Sequence, residues 1–237
     1  LFKELEMQTD KTIEREIQDR FFDLITNQKE NKTSNAFKVY QKLVFYRYEE
    51  IIKSTFVQFI KNISERELEN SIYEFLKNPP KTEFVWKIAN DYIKFVKKLK
   101  LFHDRKYLYE LLYFDWIEVE IYMKEYKLKE NDFSWDSYYC LSKSARVKKF
   151  QYDIINANHK EKRENYLIIY YDFDKNQVLF REINQFIYVL IKKLKNSTLE
   201  LTLDEICKDN DISLDEAKEI LQEPLKELIQ NRALALN

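Results

Sequence analysis

Glycine is absent from this 237-residue sequence. The absence excludes the glycine-rich phosphate cradles of P-loop, dinucleotide-binding and protein-kinase type, because those loops need backbone conformations that only glycine adopts easily. It also predicts that turns rely on Asn, Asp, Ser and Lys, and that helices end without their preferred glycine cap. Enzymes that hold nucleotides in such loops are therefore excluded.

Cysteine and histidine are scarce as well, with two residues of each in the chain. Cys140 and Cys207 stand far apart, and neither residue type occurs at a spacing typical of metal ligands. We therefore expect no cofactor or metal held by this chain alone, and reduced thiols in a cytoplasmic protein. No local pairing of a nucleophile with a base is visible, so the sequence predicts a protein that is not itself an enzyme.

Long apolar runs are missing too, since none approaches the roughly 20 residues that a membrane-spanning helix needs. The net charge of −1 argues against general nucleic-acid binding but leaves room for local basic patches. Residues 143–163 and 87–106 each carry seven Lys or Arg against two acids. Both segments suit either an anionic partner or a solvated surface, and the surface is the favoured interpretation for residues 87–106.

Helical patterns fill the first 126 residues. Thr9 or Asp10 can cap a first helix that runs to about Asn27, and a second pattern covers residues 36–60 with a break expected near residues 46–48. The later signals are a capping box at Ser64-Glu-Arg-Glu67, a helix end at Asn78-Pro79-Pro80, and a cap at Thr82 for a helix to about Lys100.

The segment from Lys106 to Tyr126 is apolar on two sides of a helix, which predicts a buried central helix. Asp115 and Glu118 lie three residues apart on it and share a face. They could act as a carboxylate pair for acid–base chemistry or metal binding. The favoured alternative is a structural ion pair of Asp115 with a basic residue on a packed helix, for which Arg47 is the candidate.

The character of the chain changes after residue 126. Residues 127–145 are interpreted as a linker, residues 146–155 and 166–171 as strands, and residues 177–180 as a return strand after a turn at 172–176. Helices are predicted over residues 183–194, 202–208 and 213–230, with capping boxes at Thr202 and Ser213 and a kink or split at Pro224. Leu234 and Leu236 add a terminal strand.

These elements predict an α+β fold that is mostly α. It consists of an all-α helical domain (1–126), a linker (127–145), and a small antiparallel sheet with a winged-helix-like domain (146–237). That outline invites DNA binding, but the helix over residues 213–230 carries five acids against two lysines and would be repelled by phosphates. The same shape suits capture of a peptide as an added strand at a sheet edge.

Four motifs occur in order within residues 10–126. They are Tyr46-Arg47 with Ser54-Thr55-Phe56, Phe75 to Thr82 around Pro79-Pro80, Tyr92 to Val96, and Tyr107-Leu108 with Leu112 to Trp116. Together they resemble a bacterial family long labelled a DNA-binding domain, whose better-understood members are MbnC- and HvfC-like accessory proteins of ribosomal-peptide natural-product maturation. Val57 and Asp115 replace the family's proline and glutamate.

The resemblance implies a non-catalytic subunit that forms a heterodimer with a TIM-barrel multi-iron enzyme and helps present a precursor peptide for cysteine modification. Iron is then expected in the partner enzyme. The candidate peptide- or partner-binding residues are Arg146, Lys148, Lys149, Phe150, Tyr152 and Tyr170. The alternative function is a transcriptional regulator that binds DNA through its winged-helix-like domain.

Overall fold

The computed structural model of the protein describes residues 35–80, 82, 84–127, 132–156 and 158–237. Within these residues helices come first, strands follow, and helices return before a last short strand. This order confirms the predicted α+β class. The chain divides into two compact units, Leu1–Leu112 and Tyr113–Asn237, called here the N-terminal and C-terminal units. The helix predicted from Thr9 or Asp10 to about Asn27 lies outside the described residues.

The N-terminal unit is helical throughout its described part. Its helices are α1 (Asn35–Thr55), α2 (Val57–Ile60), α3 (Glu65–Leu76), α4 (Val85–Lys98) and the start of α5 (Tyr107–Tyr122), which continues into the C-terminal unit. The break predicted near residues 46–48 is wrong, because α1 runs on and the chain breaks at Phe56 instead. Phe56 is fully buried, and its backbone leaves the helical region with φ −105° and ψ 59°.

The helix starts in this unit test the capping predictions. At Ser64 the capping box is confirmed: the Glu67 backbone N–H donates to Ser64 Oγ at 3.3 Å, and the Ser64 N–H donates to Glu67 Oε2 at 2.9 Å. As predicted, α3 ends before Pro79. Thr82 is not the cap of α4, since its Oγ1 accepts from the Phe84 N–H at 3.2 Å and the helix begins only at Val85.

Aromatic rings fill the core of the N-terminal unit. Phe75 and Tyr92 meet edge to face with ring centroids 5.4 Å apart, and Phe56 lies 5.7 Å from Tyr92. The buried Tyr92 hydroxyl is 2.6 Å from Ser71 Oγ, which in turn lies 2.7 Å from the Leu68 carbonyl oxygen. These bonds satisfy the polar tip of Tyr92 inside an otherwise apolar core.

In its described residues the C-terminal unit combines two small sheets with the second half of α5 and three further helices. Strands β2 (Ala145–Phe150), β3 (Asn165–Asp172) and β4 (Gln177–Ile183) form an antiparallel sheet in that order. Strand β1 (Tyr139–Leu141) pairs with β5 (Leu234–Leu236). The terminal strand is thus confirmed, whereas the predicted linker over residues 127–145 is corrected because it contains β1, whose pairing partner lies about ninety residues further on.

Strand β3 is buried on both faces, as its continuous apolar sequence suggests. Tyr166, Ile168 and Tyr170 face a core that includes residues of helices α6 (Gln185–Lys193), α7 (Leu199–Asp209) and α8 (Leu214–Gln230). On the opposite face, the second half of α5 contacts the sheet: Phe114 lies 4.6 Å from Phe180, and Tyr122 lies 6.2 Å from Tyr171, between ring centroids. The sheet is therefore a middle layer in this unit.

Two capping predictions in this unit are wrong. Thr198 rather than Thr202 caps α7, with its Oγ1 accepting from the Leu201 N–H at 3.3 Å, while Thr202 sits one turn inside the helix. Ser213 occupies the position before α8 but makes no side-chain cap bond there. Pro224 does not split α8, which continues from Leu214 to Gln230. A local motif alone does not decide which Ser or Thr becomes the cap.

After three helices, residues other than glycine adopt the left-handed backbone conformation that glycine normally provides. Lys100, Asp211 and Arg232 have φ of 53°, 54° and 59°, and each directly follows the C-cap of a helix. After α4, the Leu101 N–H donates to the Val96 carbonyl at 3.0 Å; Ile212 bonds Cys207 and Ala233 bonds Leu228 in the same way. These bonds are characteristic of the Schellman motif, which normally uses glycine at this position.

Candidate functional site

The strongest basic strand of the chain lies at one rim of the three-stranded sheet. β2 carries Arg146, Lys148 and Lys149 in the sequence Ala-Arg-Val-Lys-Lys-Phe. It pairs with β3 on one side only, and no other strand of the described residues pairs with it. An unpaired edge presents backbone N–H and C=O groups that an extended peptide can use.

The hydrogen-bonding pattern shows which groups of β2 face outward. The Tyr171 N–H donates to the Ser144 carbonyl at 3.0 Å, directly before the ladder in which Ala145 opposes Tyr170. Bonding alternates along an antiparallel pair, so the backbone groups of residues 146, 148 and 150 point toward β3. The groups of Ala145, Val147 and Lys149 point away from it.

Arg146 is held in place by its own unit. Its Nη1 donates to the carbonyl oxygens of Ala145 at 2.7 Å and Lys143 at 2.9 Å, and its Nη2 lies 3.3 Å from both carboxylate oxygens of Glu120. Glu120 is 8% exposed and also pairs with Lys124, four residues later and just past the end of α5. A paired, half-buried guanidinium of this kind positions the strand.

The two lysines of β2 differ in their surroundings. Lys149 Nζ lies 2.6 Å from Glu164 Oε2, and this hydrogen bond raises the pKa of Lys149. Lys148 is exposed, and its Nζ lies 5.1 Å from the centroid of the Tyr113 ring. Lys148 makes no ion pair with any residue that the structure describes. It is therefore the basic side chain of β2 that is available to an anionic partner.

The aromatic candidates lie mostly inside the C-terminal unit. Phe150 is 0% and Tyr170 is 3% exposed, and burial raises the pKa of Tyr170. Tyr152 is half-buried, and its carbonyl oxygen accepts from Asn165 Nδ2 at 2.7 Å. Phe150 packs 6.1 Å from Tyr113 between ring centroids. In this conformation Phe150 and Tyr170 support the sheet rather than offering surface to a ligand.

Three residues that shape this site were not predicted: Tyr113, Glu120 and Glu164. Each contacts a basic side chain of β2. A usable signal existed for Glu120, since a carboxylate with Lys124 four residues later interrupts a helix that is apolar on two sides. No local pattern links Tyr113 to Lys148, because thirty-five residues separate them and only the packing of α5 on the sheet brings them together.

The predicted ion pair of Arg47 with Asp115 joins residues of different units and stays a prediction. Arg47 is exposed, and its Nη1 lies 2.9 Å from Glu50 Oε2 on the same helix. Asp115 is 8% exposed, in keeping with the burial expected of it. The ion pair of Arg47 with Glu50 is of the weak, solvent-exposed kind.

In the described ranges, no group of three or more His, Cys, Asp and Glu side chains is arranged to hold a metal ion. Cys207 is buried, which raises the pKa of its thiol, and Cys140 is half-buried. No helix in those ranges has the length and apolar character needed to cross a membrane.

No protein-family model matches the sequence, and no curated protein matches it.

Proposed function

We propose that this chain is a non-catalytic accessory subunit that binds a TIM-barrel multi-iron enzyme and helps present a precursor peptide for cysteine modification. The motif resemblance over residues 10–126 suggests the partner enzyme and the biosynthetic setting. The unpaired β2 edge, with an available lysine at its centre, is the observation that supports peptide presentation. Iron belongs to the partner in this proposal, and this chain holds no cofactor of its own.

Peptide presentation at β2 is chemically reasonable because backbone bonds provide affinity without demanding one sequence, while side chains beside the edge select among peptides. Lys148 supplies positive charge at the middle of the strand. Phe150 and Tyr113 form an apolar support beneath it, with ring centroids 6.1 Å apart. The strand is therefore held rigid by packing, which lowers the entropy cost of adding a peptide.

The rival function, DNA binding through α8, has less support. In α8 the acids Glu216 and Glu219 are exposed, Lys218 pairs with Glu200, and Lys226 Nζ lies 3.8 Å from Glu223 Oε1. A helix whose lysines are paired and whose surface is acidic opposes the phosphate contacts that supply most of the affinity for DNA. We therefore rank DNA binding second.

The test is co-expression of the chain with the open reading frames that flank its gene, followed by purification and iron analysis. The proposal expects an iron-containing enzyme to co-purify with the chain in a 1:1 complex. Recovery of the chain without an iron enzyme, together with DNA that high salt removes, would favour the regulator instead.

A matched pair of variants then tests the peptide role within that complex. Lys148→Ala should weaken binding of the precursor peptide, whereas Lys160→Ala removes an exposed lysine of the same basic segment outside β2 and should not. Phe150→Ala and Tyr170→Ala are poor probes, because both side chains are buried and their loss would damage the sheet. Equal affinity in both lysine variants would remove β2 from the proposal.

A further inference from the structure

The free edge of β2 is shorter than the strand itself. At its first residue both outward groups already have partners: the Ala145 N–H donates to the Ser142 carbonyl at 3.0 Å, and the Ala145 carbonyl accepts from Arg146 Nη1 at 2.7 Å. Glu120 holds that guanidinium from the other side. A docking strand therefore cannot bond at Ala145 while Arg146 keeps this position.

At the other end of β2, the backbone groups beyond Lys149 are also unavailable to a docking strand. β2 ends at Phe150, whose backbone groups face β3, and two residues later the Tyr152 carbonyl is taken by Asn165. The outward N–H and C=O groups of Val147 and Lys149 remain, and no residue in the described part of the chain bonds them. They form a slot of three residues, Val147–Lys149, that offers two donors and two acceptors.

Lys148 occupies the centre of this slot. In a sheet, side chains directly opposite each other on neighbouring strands lie on the same face, about 5 Å apart at their Cβ atoms. The docked residue opposite Lys148 would thus lie beside its ammonium group. Arg146 and Lys149 each form an ion pair, with Glu120 and Glu164 respectively. Lys148 is left with the Tyr113 ring as its described partner.

We propose that the slot Val147–Lys149 binds a short extended peptide segment whose central residue is Asp or Glu, read by Lys148. This inference rests on the proposed function, since it specifies the peptide that such a subunit would present. Arg146 sets the limit of the slot and acts as a positioning residue. Charge complementarity selects the occupant: like charges opposite each other in a sheet repel, and opposite charges attract.

The probe is a set of three synthetic seven-residue peptides with blocked ends, identical except for Glu, Gln or Lys at the centre. Binding to the full chain is followed by fluorescence anisotropy, with dissociation constants expected on the order of millimolar because only four backbone bonds form. The Glu peptide should bind about three- to tenfold more tightly than the Lys peptide at low salt.

Charge reversal provides the decisive comparison. In Lys148→Glu the order of the peptides should invert, with the Lys peptide binding best. Lys160→Glu changes the net charge by the same amount at an exposed position outside β2, and the original order should persist. In Arg146→Gln the Ala145 carbonyl becomes free, so peptides should gain affinity when they are extended by two residues at the end that faces Ala145.

Two results would overturn the inference: no binding of any of the three peptides in the millimolar range, or a preference that Lys148→Glu leaves unchanged. Neither result affects co-purification with an iron enzyme, which tests the accessory function by itself. An intact enzyme complex with a peptide preference indifferent to Lys148 would mean that the subunit binds its peptide elsewhere, at β4 for example.

Discussion

A buried polar pair joins two helices in the N-terminal unit, whereas in the C-terminal unit ion pairs lie at both edges of the three-stranded sheet. Tyr92 of α4 meets Ser71 of α3 in the first unit. In the second, Arg146 meets Glu120 beside β2, and Arg163 bridges Asp153 to Glu182 on β4. A helix bonds most of its backbone N–H and C=O groups internally. The edge strands of a sheet leave such groups unpaired, and other parts of the protein must cover or bond them.

The difference explains where a binding function can reside in each unit. In the N-terminal unit the buried pair of Ser71 and Tyr92 joins two helices, and each helix bonds most of its own backbone groups. In the C-terminal unit, ion pairs occupy both rims of the sheet, yet Val147 and Lys149 keep outward backbone groups. Equivalent substitutions in the two units should therefore have different effects.

The largest effects should come from the two cores. Ile72→Ala in the N-terminal unit and Ile168→Ala in the C-terminal unit each remove a fully buried side chain, and each should lower the free energy of unfolding by about 2–5 kcal/mol. Urea unfolding measures both. Ile220→Ala, at a position that is 71% exposed, serves as the control and should change stability by no more than about 0.5 kcal/mol.

Buried tyrosines give the next comparison. The Tyr139 hydroxyl donates to the Asp132 carbonyl at 2.6 Å and accepts from the Ser134 N–H at 2.9 Å, so Tyr139→Phe orphans two backbone groups and should cost about 1–3 kcal/mol. Tyr92→Phe should cost less, about 1 kcal/mol, because Ser71 keeps its bond to Leu68. Equal losses by urea unfolding would contradict the assignment of these partners.

Two serines with the same local motif should behave differently. Ser64→Ala removes an observed cap in the N-terminal unit and should lower stability by about 1 kcal/mol. Ser213→Ala removes a side chain that makes no cap bond in the C-terminal unit and should change stability by less than about 0.5 kcal/mol. Thermal unfolding of the two variants, with wild type beside them, checks the difference.

Glycine introduced after a helix should stabilise both units, and the N-terminal unit more. Lys100→Gly relieves a left-handed lysine and should raise the free energy of unfolding by about 0.5–1 kcal/mol. Arg232→Gly relieves similar strain but loses the contact of Arg232 with the Phe173 ring, 5.6 Å to its centroid, so its gain should be smaller. Chemical denaturation of both variants provides the ranking.

The smallest difference between the two units should appear in the loss of stability at low pH. The Ser64 backbone N–H bonded to Glu67, and the Arg163 guanidinium beside Asp153, lower the pKa of those two carboxyl groups. A lowered folded pKa adds stability above the unfolded value, roughly pH 4, and that stability is lost as pH falls through the folded pKa. Glu67→Gln and Asp153→Asn should therefore flatten the loss of stability below about pH 4. An unchanged slope in urea titrations at several pH values would contradict these shifts.

Patterns that depend on near neighbours were predictable. The apolar run from Tyr166 to Tyr171 predicted β3, and Ser64 with Glu67 predicted the start of α3. Predictions failed where distant residues compete: Thr202 lost the capping position because Leu199 is buried in the core and draws the helix start back to Thr198. β1 was missed because three residues carry little pattern, and its partner comes from the C-terminus.

The candidate site was foreseen as a basic strand and corrected in its details. The sequence placed Arg146, Lys148 and Lys149 on one strand, but it could not distinguish free charges from paired ones. Glu120 and Glu164 form ion pairs with two of them through contacts spanning twenty-six and fifteen residues of chain. Which lysine stays available is a property of packing, since ion pairing depends on distances that spacing does not encode.

The amino-acid sequence was sufficient to predict the α+β class, the exclusion of glycine-rich phosphate loops, and helix ends without glycine. Those features follow from composition and local sterics. The three-dimensional fold was needed to place β2 at an edge, to bury Phe150 and Tyr170, and to leave Lys148 without an ion pair among the described residues at the centre of a three-residue slot. Strand order and burial arise from contacts between residues remote in sequence, and those contacts decide which groups of this chain meet a partner.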